Sequence, residues 1–489
     1  MSSSMPEPAP LEPGVEVAVG FLRLSVNGLL GEGSFGAVWS AEVLGRPGST
    51  SEVALKEIVC QSEVELHRAT IEERLLEYVG ASRGDISPPS AATSRRCPSL
   101  LASEVHDLGP DCWLVRMVMT RIAGEPLSKL LDACAGDISE DQQRQLGLSS
   151  APVVGQVNAA MSLASASHCA LTMLQQLAPA LEHVSSVALH RDITPRNILL
   201  HTDGRDGHYS WGLVDFGLAV ETSSWKSAYL DQDIGGDGHY WPTSAWFTLA
   251  YGAEYLANYP YLLDEYQHCL DMHALGISAL RTLMELWSPR SQRGDADGEW
   301  AQLAKILRLR VAWSRYWEDV DRLWRPVFDA CIAASPDALN ELKSSYALAG
   351  IHNLISADLC AIRAACIQLR AVAVIPELRR LCDALVVLIR PGRPRDEPPA
   401  WAAVHAAMSP GAEANAIEFR RTVSAASEVF GDPWKGDLFH SNGTVESPTA
   451  GRSPSTRTST PVGSSVFDAA LLSPHPSARG VQLPLVNVV

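Results

Sequence analysis

Long apolar runs are absent from the 489-residue sequence, so no segment resembles a membrane-spanning helix, which takes about 20 apolar residues. The best candidate, residues 371–389, is interrupted by Pro376, Glu377 and Arg379. The first residues lack the basic start and the apolar core of a signal peptide. The sequence therefore predicts no membrane partner.

Basic residues are scarce as well, since 39 Lys and Arg residues face 56 Asp and Glu residues and leave a net charge of −17. Such an acidic chain repels nucleic acid, so we expect no nucleic-acid partner. The ten cysteines form no CxxC motif and no cluster with histidine, which argues against a zinc site or a disulfide framework. Reduced thiols predict a cytoplasmic or nuclear location.

Apolar residues are also sparse at both ends of the chain. The composition predicts a disordered N-terminus over residues 1–20 and a disordered tail rich in Ser, Thr and Pro over residues 436–489. Four Ser and Thr residues of the tail each precede proline: Ser447, Ser453, Thr460 and Ser473. This pattern predicts that proline-directed kinases are partners of the tail.

Between these ends, the spacing of the apolar residues changes from that of strands to that of helices. The N-terminal part predicts strands at residues 21–24, 29–39, 53–58 and 112–119, and a helix at residues 62–79. Helical spacing follows at residues 127–134 and 168–184, and then from residue 262 to the mid-420s. Residues 136–160 fit neither pattern and resemble an insertion. We therefore predict an α+β fold.

One of the predicted helices carries an aromatic stripe. Trp313, Trp317, Val320, Trp324 and Phe328 are spaced so that they share one helix face. Large aromatic side chains at this spacing usually belong to the core, so we predict a core contact here rather than a ligand site.

A glycine-rich motif, Gly31-x-Gly33-x-x-Gly36, lies between two of the predicted strands. In a dinucleotide-binding fold the third glycine opens a helix, whereas here Val38 continues a strand. The next strand ends its apolar pair with Lys56. This order favours a hairpin whose backbone covers phosphate groups, and an ordinary hairpin is the alternative.

Two later loops carry the polar residues that phosphoryl transfer needs. Asp192 and Asn197 lie five residues apart in one loop, and Asp215 follows an apolar run further along the chain. One Asp can orient a hydroxyl group, while an Asn and a second Asp hold Mg²⁺ on a triphosphate.

Taken in order, these motifs resemble the glycine loop, the lysine strand, the His-Arg-Asp catalytic loop and the Asp-Phe-Gly motif of eukaryotic protein kinases. The resemblance runs from residue 21 to at least residue 286. It implies a bilobal α+β fold with a small β-rich N-lobe over residues 21–123. The large helical C-lobe would span residues 124–435 and include a divergent helical extension.

The resemblance also implies roles for single residues. Asp192 would be the catalytic base, and Lys56 would contact the phosphates and pair with Glu72, with Glu73 as the competing partner. Asn197 and Asp215 would bind Mg²⁺. The residues expected to bind ATP are Gly31, Gly33, Gly36, Val38, Ala54, Lys56, Met119, Ile122, Asn197 and Asp215. Asp271 would bond the backbone of the catalytic loop.

The sequence departs from the family pattern in the substrate-binding region. Thr194 stands where Ser/Thr kinases usually carry a lysine that contacts the γ-phosphate. The Ala-Pro-Glu motif is absent, and two alignments of its position stay open, at residues 254–259 and at residues 236–244. Arg325 is only a weak candidate for the arginine that pairs with the motif's glutamate. The resemblance implies that Arg191 needs an anionic partner, which in the family is usually a phosphate on the same loop. Three aspartates of this loop are candidates, and turn residues are the alternative for them: Asp231, Asp233 and Asp237.

The function predicted from the sequence is ATP- and Mg²⁺-dependent transfer of the γ-phosphate to Ser/Thr hydroxyls of protein substrates. Pro195 resembles the Ser/Thr form of the catalytic loop more than the tyrosine form. The alternative is a nucleotide-binding pseudokinase or scaffold that docks partners through its altered activation segment. A small-molecule kinase of related fold is disfavoured by the complete glycine loop and the Asp-Phe-Gly motif.

Overall fold

The computed structural model describes residues 11–33, 36–45, 52–81, 96–135, 161–202, 208–230, 234–287, 297–333, 335–391 and 400–409. The predicted insertion at residues 136–160 and the predicted tail at residues 436–489 lie wholly outside the described residues.

The small lobe is built on one antiparallel sheet of six strands in the order β1-β2-β3-β4-β6-β5. The strands are β1 (Glu16–Val19), β2 (Leu22–Gly33), β3 (Gly36–Val43), β4 (Glu52–Cys60), β5 (Leu100–Gly109) and β6 (Cys112–Thr120). Alternating apolar residues bury one face of this sheet, as a half-buried strand pattern predicts. The strands predicted around residues 29–39, 53–58 and 112–119 are confirmed.

The first strand corrects the predicted N-terminal boundary. Residues 1–20 were expected to be disordered, yet β1 pairs with β2 through Val17 with Leu24 and Val19 with Leu22. Val19 and Leu11 are buried in the core of the small lobe. The prediction is therefore wrong for the part that forms β1, because alternating valines supply an apolar face for the sheet edge.

Helix α1 (Glu63–Ala81) packs against the opposite face of the small-lobe sheet. Its buried side chains include Leu75 and Leu76, which join the same core as Met117 of β6. The predicted helix at residues 62–79 is confirmed. Its buried face also carries the acidic side chain of Glu72.

The large lobe is mostly helical. Its helices are α2 (Leu127–Ala135), α3 (Leu163–Ser185), α4 (Thr222–Ala228), α5 (Thr243–Tyr251), α6 (Pro260–His268), α7 (Leu270–Leu286), α8 (Asp297–Ile332), α9 (Pro336–Ala349), α10 (Ile351–Val372), α11 (Pro376–Leu388) and α12 (Trp401–Met408). The central pair is α3 and α7, both of which bury long apolar faces. The helices predicted at residues 127–134 and 168–184 are confirmed.

Short strands frame the loops between α3 and α4. They are β8 (Ala188–Leu189), β9 (Ile198–Thr202), β10 (Tyr209–Leu213) and β11 (Val220–Glu221), and a further short strand, β7 (Glu125–Pro126), precedes α2. One small sheet has the order β10-β9-β7, and β11 pairs with β8. The pairing of β9 with β10 brings the residue before β9 and the residues after β10 to the same end of the hairpin.

The predicted core stripe of α8 is confirmed. Trp313, Val320 and Trp324 are buried, and Trp317 and Phe328 pack against the core from partly buried positions. Together with the small-lobe sheet, the helical lobe confirms the predicted bilobal α+β fold. Among the described residues, no helix combines the length and apolar character needed to cross a membrane.

Candidate active site

Lys56 of β4 is joined to carboxylates from both lobes. Its Nζ donates to Glu72 Oε1 and Oε2 at 2.8 and 2.9 Å, and to Asp215 Oδ1 at 3.0 Å. Glu72 lies on the buried face of α1, whereas the neighbouring Glu73 accepts a hydrogen bond from Ser103. The structure thus pairs Lys56 with Glu72 rather than with Glu73.

The charges of this group determine its protonation. Burial would lower the pKa of Lys56, but the charges of Asp215 and Glu72 outweigh burial and raise it. Burial would raise the pKa of Asp215, yet the charge of Lys56 lowers it. Burial raises the pKa of Glu72 against the opposing charge of Lys56. One lysine facing two carboxylates leaves a site that favours a further cation.

Asp192 and Asn197 are held together within the loop that precedes β9. Asn197 Nδ2 donates to Asp192 Oδ2 at 2.7 Å and to the Asp192 carbonyl oxygen at 3.0 Å. Asp192 Oδ1 is buried and accepts no hydrogen bond from the described residues. Burial raises the pKa of Asp192 to about 7, and the charges of Asp215 and Asp237 add to the shift. This oxygen can therefore accept a proton or orient a hydroxyl group near neutral pH.

Asp271, at the start of α7, fixes the backbone of the same loop, as the sequence predicted. Its Oδ2 accepts from His190 N at 2.7 Å, and its Oδ1 accepts from Arg191 N at 2.8 Å. Arg191 adopts a positive φ of 65°, which is uncommon for a residue with a side chain. The two hydrogen bonds hold the chain in this conformation and so present Asp192 to the cleft.

Asp215 follows β10 and also has a positive φ, of 67°. Val214 N donates to the Asn197 carbonyl oxygen at 2.9 Å, so the β9–β10 hairpin sets Asn197 beside Asp215. This hydrogen bond joins Asn197 to the residue before Asp215. Both predicted metal ligands carry side-chain oxygen atoms, the donors that Mg²⁺ prefers.

The three glycines of the β2–β3 hairpin have different surroundings. Gly36 has a φ of 104°, and a Cβ there would collide with the carbonyl oxygen of Glu57. Gly31 and Gly33 have no other atoms within 4 Å of the place where a Cβ would lie. Gly36 is therefore required by the backbone itself, whereas the other two leave open space at the hairpin.

The remaining predicted nucleotide contacts come from strands that meet at the cleft. Ala54 is the register partner of Met119 in the β4–β6 pair, and Val38 is the partner of Lys56 in the β3–β4 pair. Ile122 follows β6, and its side chain occupies the space that a Cβ on Gly212 would fill. The structure thus places these predicted ATP-binding residues on the adjacent strands β3, β4 and β6 and on the segment that follows β6.

Residues 24–242 match a family model described as protein tyrosine and serine/threonine kinase. These residues form a protein kinase domain. The match supports phosphotransfer to proteins, and it covers both tyrosine and Ser/Thr kinases. No curated protein matches the chain.

The two positions that the sequence left open for the missing motif differ in their surroundings. Gly236 lies against the catalytic loop, because a Cβ on it would collide with the Arg191 carbonyl oxygen and lie 3.5 Å from Asp192 Oδ1. Glu254, in the rival alignment, is exposed. Residues 236–244 thus begin next to the catalytic loop, and the choice between the two alignments stays a prediction.

Arg196 is a charged residue of the catalytic loop that the sequence analysis overlooked. Thr194, which replaces the usual lysine, is buried, but the charge of Arg196 acts on Asp192 and opposes the rise of its pKa. Arg196 Nη2 lies 3.7 Å from Asp237 Oδ2. Its position four residues after Asp192 was the available signal. The charge of Arg196 thus acts on Asp192, the predicted base, from within the same loop.

Two neighbouring acidic residues of α6 make contacts that the sequence did not predict. Glu265 is fully buried, and its Oε2 accepts from Ser244 N at 2.8 Å. Asp264 Oδ2 lies 3.2 Å from Nη1 of Arg390, a late arginine of the chain. Arg325, the candidate from the sequence, instead pairs with Asp321 at 3.1 Å on α8. Helix α6 is therefore joined both to the activation segment and to Arg390.

Arg191 contacts a backbone carbonyl oxygen and an aromatic ring. Its Nε donates to the Leu218 carbonyl oxygen at 2.8 Å, and its guanidinium group lies 5.1 Å from the centre of the Trp225 ring. Asp237 contacts His239 and Arg196, while residues 231 and 233 lie outside the described residues. The acidic-partner hypothesis for Arg191 stays a prediction at those two positions.

Proposed function

We propose that this protein is a protein kinase that uses ATP and Mg²⁺ to phosphorylate Ser and Thr hydroxyls of other proteins. The observation that carries the proposal is the meeting of Lys56, Glu72 and Asp215 beside the bonded pair of Asp192 and Asn197. A lysine for the phosphates, a base and two metal ligands are the parts that positioning catalysis of phosphoryl transfer needs.

The donor groups fit Mg²⁺ and a nucleotide. Asn197 and Asp215 would hold the metal with oxygen atoms, and the excess negative charge around Lys56 favours a cation there. The open space at Gly31 and Gly33 can accommodate phosphate groups below the hairpin. When bound, Mg²⁺ would neutralise negative charge on the β- and γ-phosphates.

The residues around the acceptor group would act by orientation and charge. Asp192 Oδ1, which is buried and accepts no hydrogen bond from the described residues, would accept the hydrogen bond of the substrate hydroxyl. Arg196 would carry positive charge beside the base, where Thr194 supplies none. Ser and Thr are preferred over Tyr as acceptors because Pro195 resembles the Ser/Thr form of this loop.

An assay with Mg-ATP and peptide libraries that contain Ser, Thr or Tyr acceptors tests the proposal. We expect phosphate on Ser and Thr, and we expect Asp192→Asn to remove its incorporation. Lys129→Ala serves as a control, because Lys129 is exposed on α2 and pairs only with the exposed Glu125 among the contacts described. Phosphate on Tyr alone would contradict the acceptor assignment.

The scaffold alternative makes a different prediction for the same preparation. The Ala-Pro-Glu motif is absent, and α5 follows the activation segment. We expect the surface there to differ from the substrate-binding surface of an ordinary protein kinase. Nucleotide binding with no incorporation into any library would support the scaffold and contradict the kinase proposal.

A further inference from the structure

A short part of the activation segment lies between the catalytic loop and α8. A Cβ on Gly236 would collide with the Arg191 carbonyl oxygen, and a Cβ on Gly238 would collide with the Trp324 ring of α8. The backbone at these two glycines is therefore in close contact with the catalytic loop on one side and with α8 on the other.

A row of charged side chains follows the same path. His239 Nε2 lies 3.3 Å from Asp321 Oδ1 of α8, and His239 Nδ1 lies 2.7 Å from Asp237 Oδ1. Asp237 Oδ2 in turn lies 3.7 Å from Arg196 Nη2. His239 and Asp237 are 1% and 4% exposed, so water contributes little to their solvation. The row alternates in sign from α8 to the catalytic loop.

The imidazole ring is fixed by more than these charges. The His239 ring lies 4.8 Å from the Trp317 ring, between ring centres, and Tyr316 Oη donates to the His239 carbonyl oxygen at 3.1 Å. The next residue, Tyr240, accepts a hydrogen bond at 2.7 Å from Arg281 of α7. The segment is therefore hydrogen-bonded to both α7 and α8 of the large lobe. Within the row, His239 lies between Asp237 and Asp321.

The electrostatics extend the row to the base. Burial would lower the pKa of His239, but the charge and hydrogen bond of Asp237 and the contact with Asp321 raise it. A charged imidazole at His239 balances the charge of the buried Asp237 carboxylate, which itself acts on Asp192. Arg196 and Asp237 act on the pKa of Asp192 in opposite directions. The row thus ends at the residue proposed to orient the substrate hydroxyl.

We infer that His239 is a positioning residue, which bridges Asp237 and Asp321 and thereby holds Arg196 and the catalytic loop in the arrangement that phosphoryl transfer requires. The inference rests on the proposed kinase function. It assigns to α8 a role in catalysis, although α8 contributes no residue to the cleft.

Two variants break the row at different points. His239→Asn keeps a donor that can reach Asp237 but has no charge and cannot reach Asp321. Asp321→Asn removes a charge from α8 without changing the activation segment. Glu318→Gln is the matched control, because Glu318 is exposed on the same helix. All variants are compared at a temperature at which urea unfolding curves show them to be folded.

We expect kcat to fall about ten- to a hundredfold in His239→Asn and in Asp321→Asn, since small displacements of catalytic groups have effects of this size. KM for ATP should stay within about twofold, because Lys56 and the other residues expected to bind ATP are untouched. The double variant should be no slower than the slower single variant, since both changes act through one row. Glu318→Gln should behave as wild type.

Unchanged kcat in Asp321→Asn, or an effect confined to KM for ATP, would overturn the inference. Hydrogen exchange of peptides covering residues 188–199 provides a readout that does not depend on activity. Faster exchange in Asp321→Asn than in Glu318→Gln supports the positioning role, and equal exchange overturns it. If wild-type protein transfers no phosphate, the kinase proposal fails, and hydrogen exchange still decides whether α8 holds the loop.

Discussion

Lys56 is a residue whose contacts join the two lobes. It lies on a strand of the small lobe, bonds a helix of that lobe through Glu72, and bonds the large lobe through Asp215. Glu72 is buried, whereas the side chain of Asp215 is 38% exposed and keeps some contact with water. The loss of Lys56 should therefore affect the two carboxylates unequally.

Lys56→Met is expected to remove phosphoryl transfer and to lower the free energy of unfolding by about 3 to 5 kcal/mol, because Glu72 keeps a buried carboxylate without its cation. The double variant Lys56→Met with Glu72→Gln should regain most of that stability but no activity. Urea unfolding and a transfer assay measure the two effects. A single variant as stable as wild type would contradict the stabilising role of the pair.

The β2–β3 hairpin is an element in which identical residues serve different purposes. Gly36 is needed because of its positive φ and the nearby Glu57 carbonyl oxygen, while Gly33 borders open space. A side chain at Gly36 strains the backbone, whereas a side chain at Gly33 meets only what enters the cleft. The two positions separate the folding of the hairpin from the binding of phosphate.

Gly36→Ala is expected to lower the free energy of unfolding by about 1 to 3 kcal/mol, since the new side chain must strain the hairpin. Gly33→Ala should change stability by less than about 1 kcal/mol but should raise KM for ATP. Urea unfolding and initial rates over a range of ATP concentrations test the pair. Equal stability losses in the two variants would show that open space at Gly33 has no special meaning.

Elements with local signals could be predicted from the sequence, and contacts between distant elements could not. The strand that carries Lys56 and the helix that carries Glu72 follow from apolar spacing within a few residues. Asp264 and Arg390, which form an ion pair, are separated by more than a hundred residues, and no motif spacing connects them. The stripe of α8 was predicted as core, but its contact with the activation segment depends on how helices pack.

For the molecule as a whole, buried histidines influence stability in opposite directions as the pH changes. Burial lowers the pKa of His273 to about 3 and that of His352 to about 4, so both stay neutral in the folded protein at ordinary pH. The pKa of His239 is raised instead, because Asp237 and Asp321 outweigh the effect of burial. Only a comparison with a His239 variant can isolate its contribution.

His239→Asn should cost more stability at pH 6 than at pH 9. The folded-state pKa of His239 lies above its unfolded value of about 6.5, so its stabilising effect is complete below that value and is lost as the pH rises through the folded-state pKa. The charged groups that face the ring are Asp237 and Asp321, which also contact Arg196 and Arg325. Urea unfolding at both pH values measures the difference, and a cost that grows with pH would contradict the assignment.

The contact between Gly238 and Trp324 has a consequence for how this protein can evolve. Since a Cβ at position 238 would collide with the indole of Trp324, position 238 cannot gain a side chain while Trp324 stays in place. A lineage that acquires a side chain at position 238 is expected to carry a smaller residue at position 324. The two positions, 86 residues apart in the chain, should therefore vary together among related sequences.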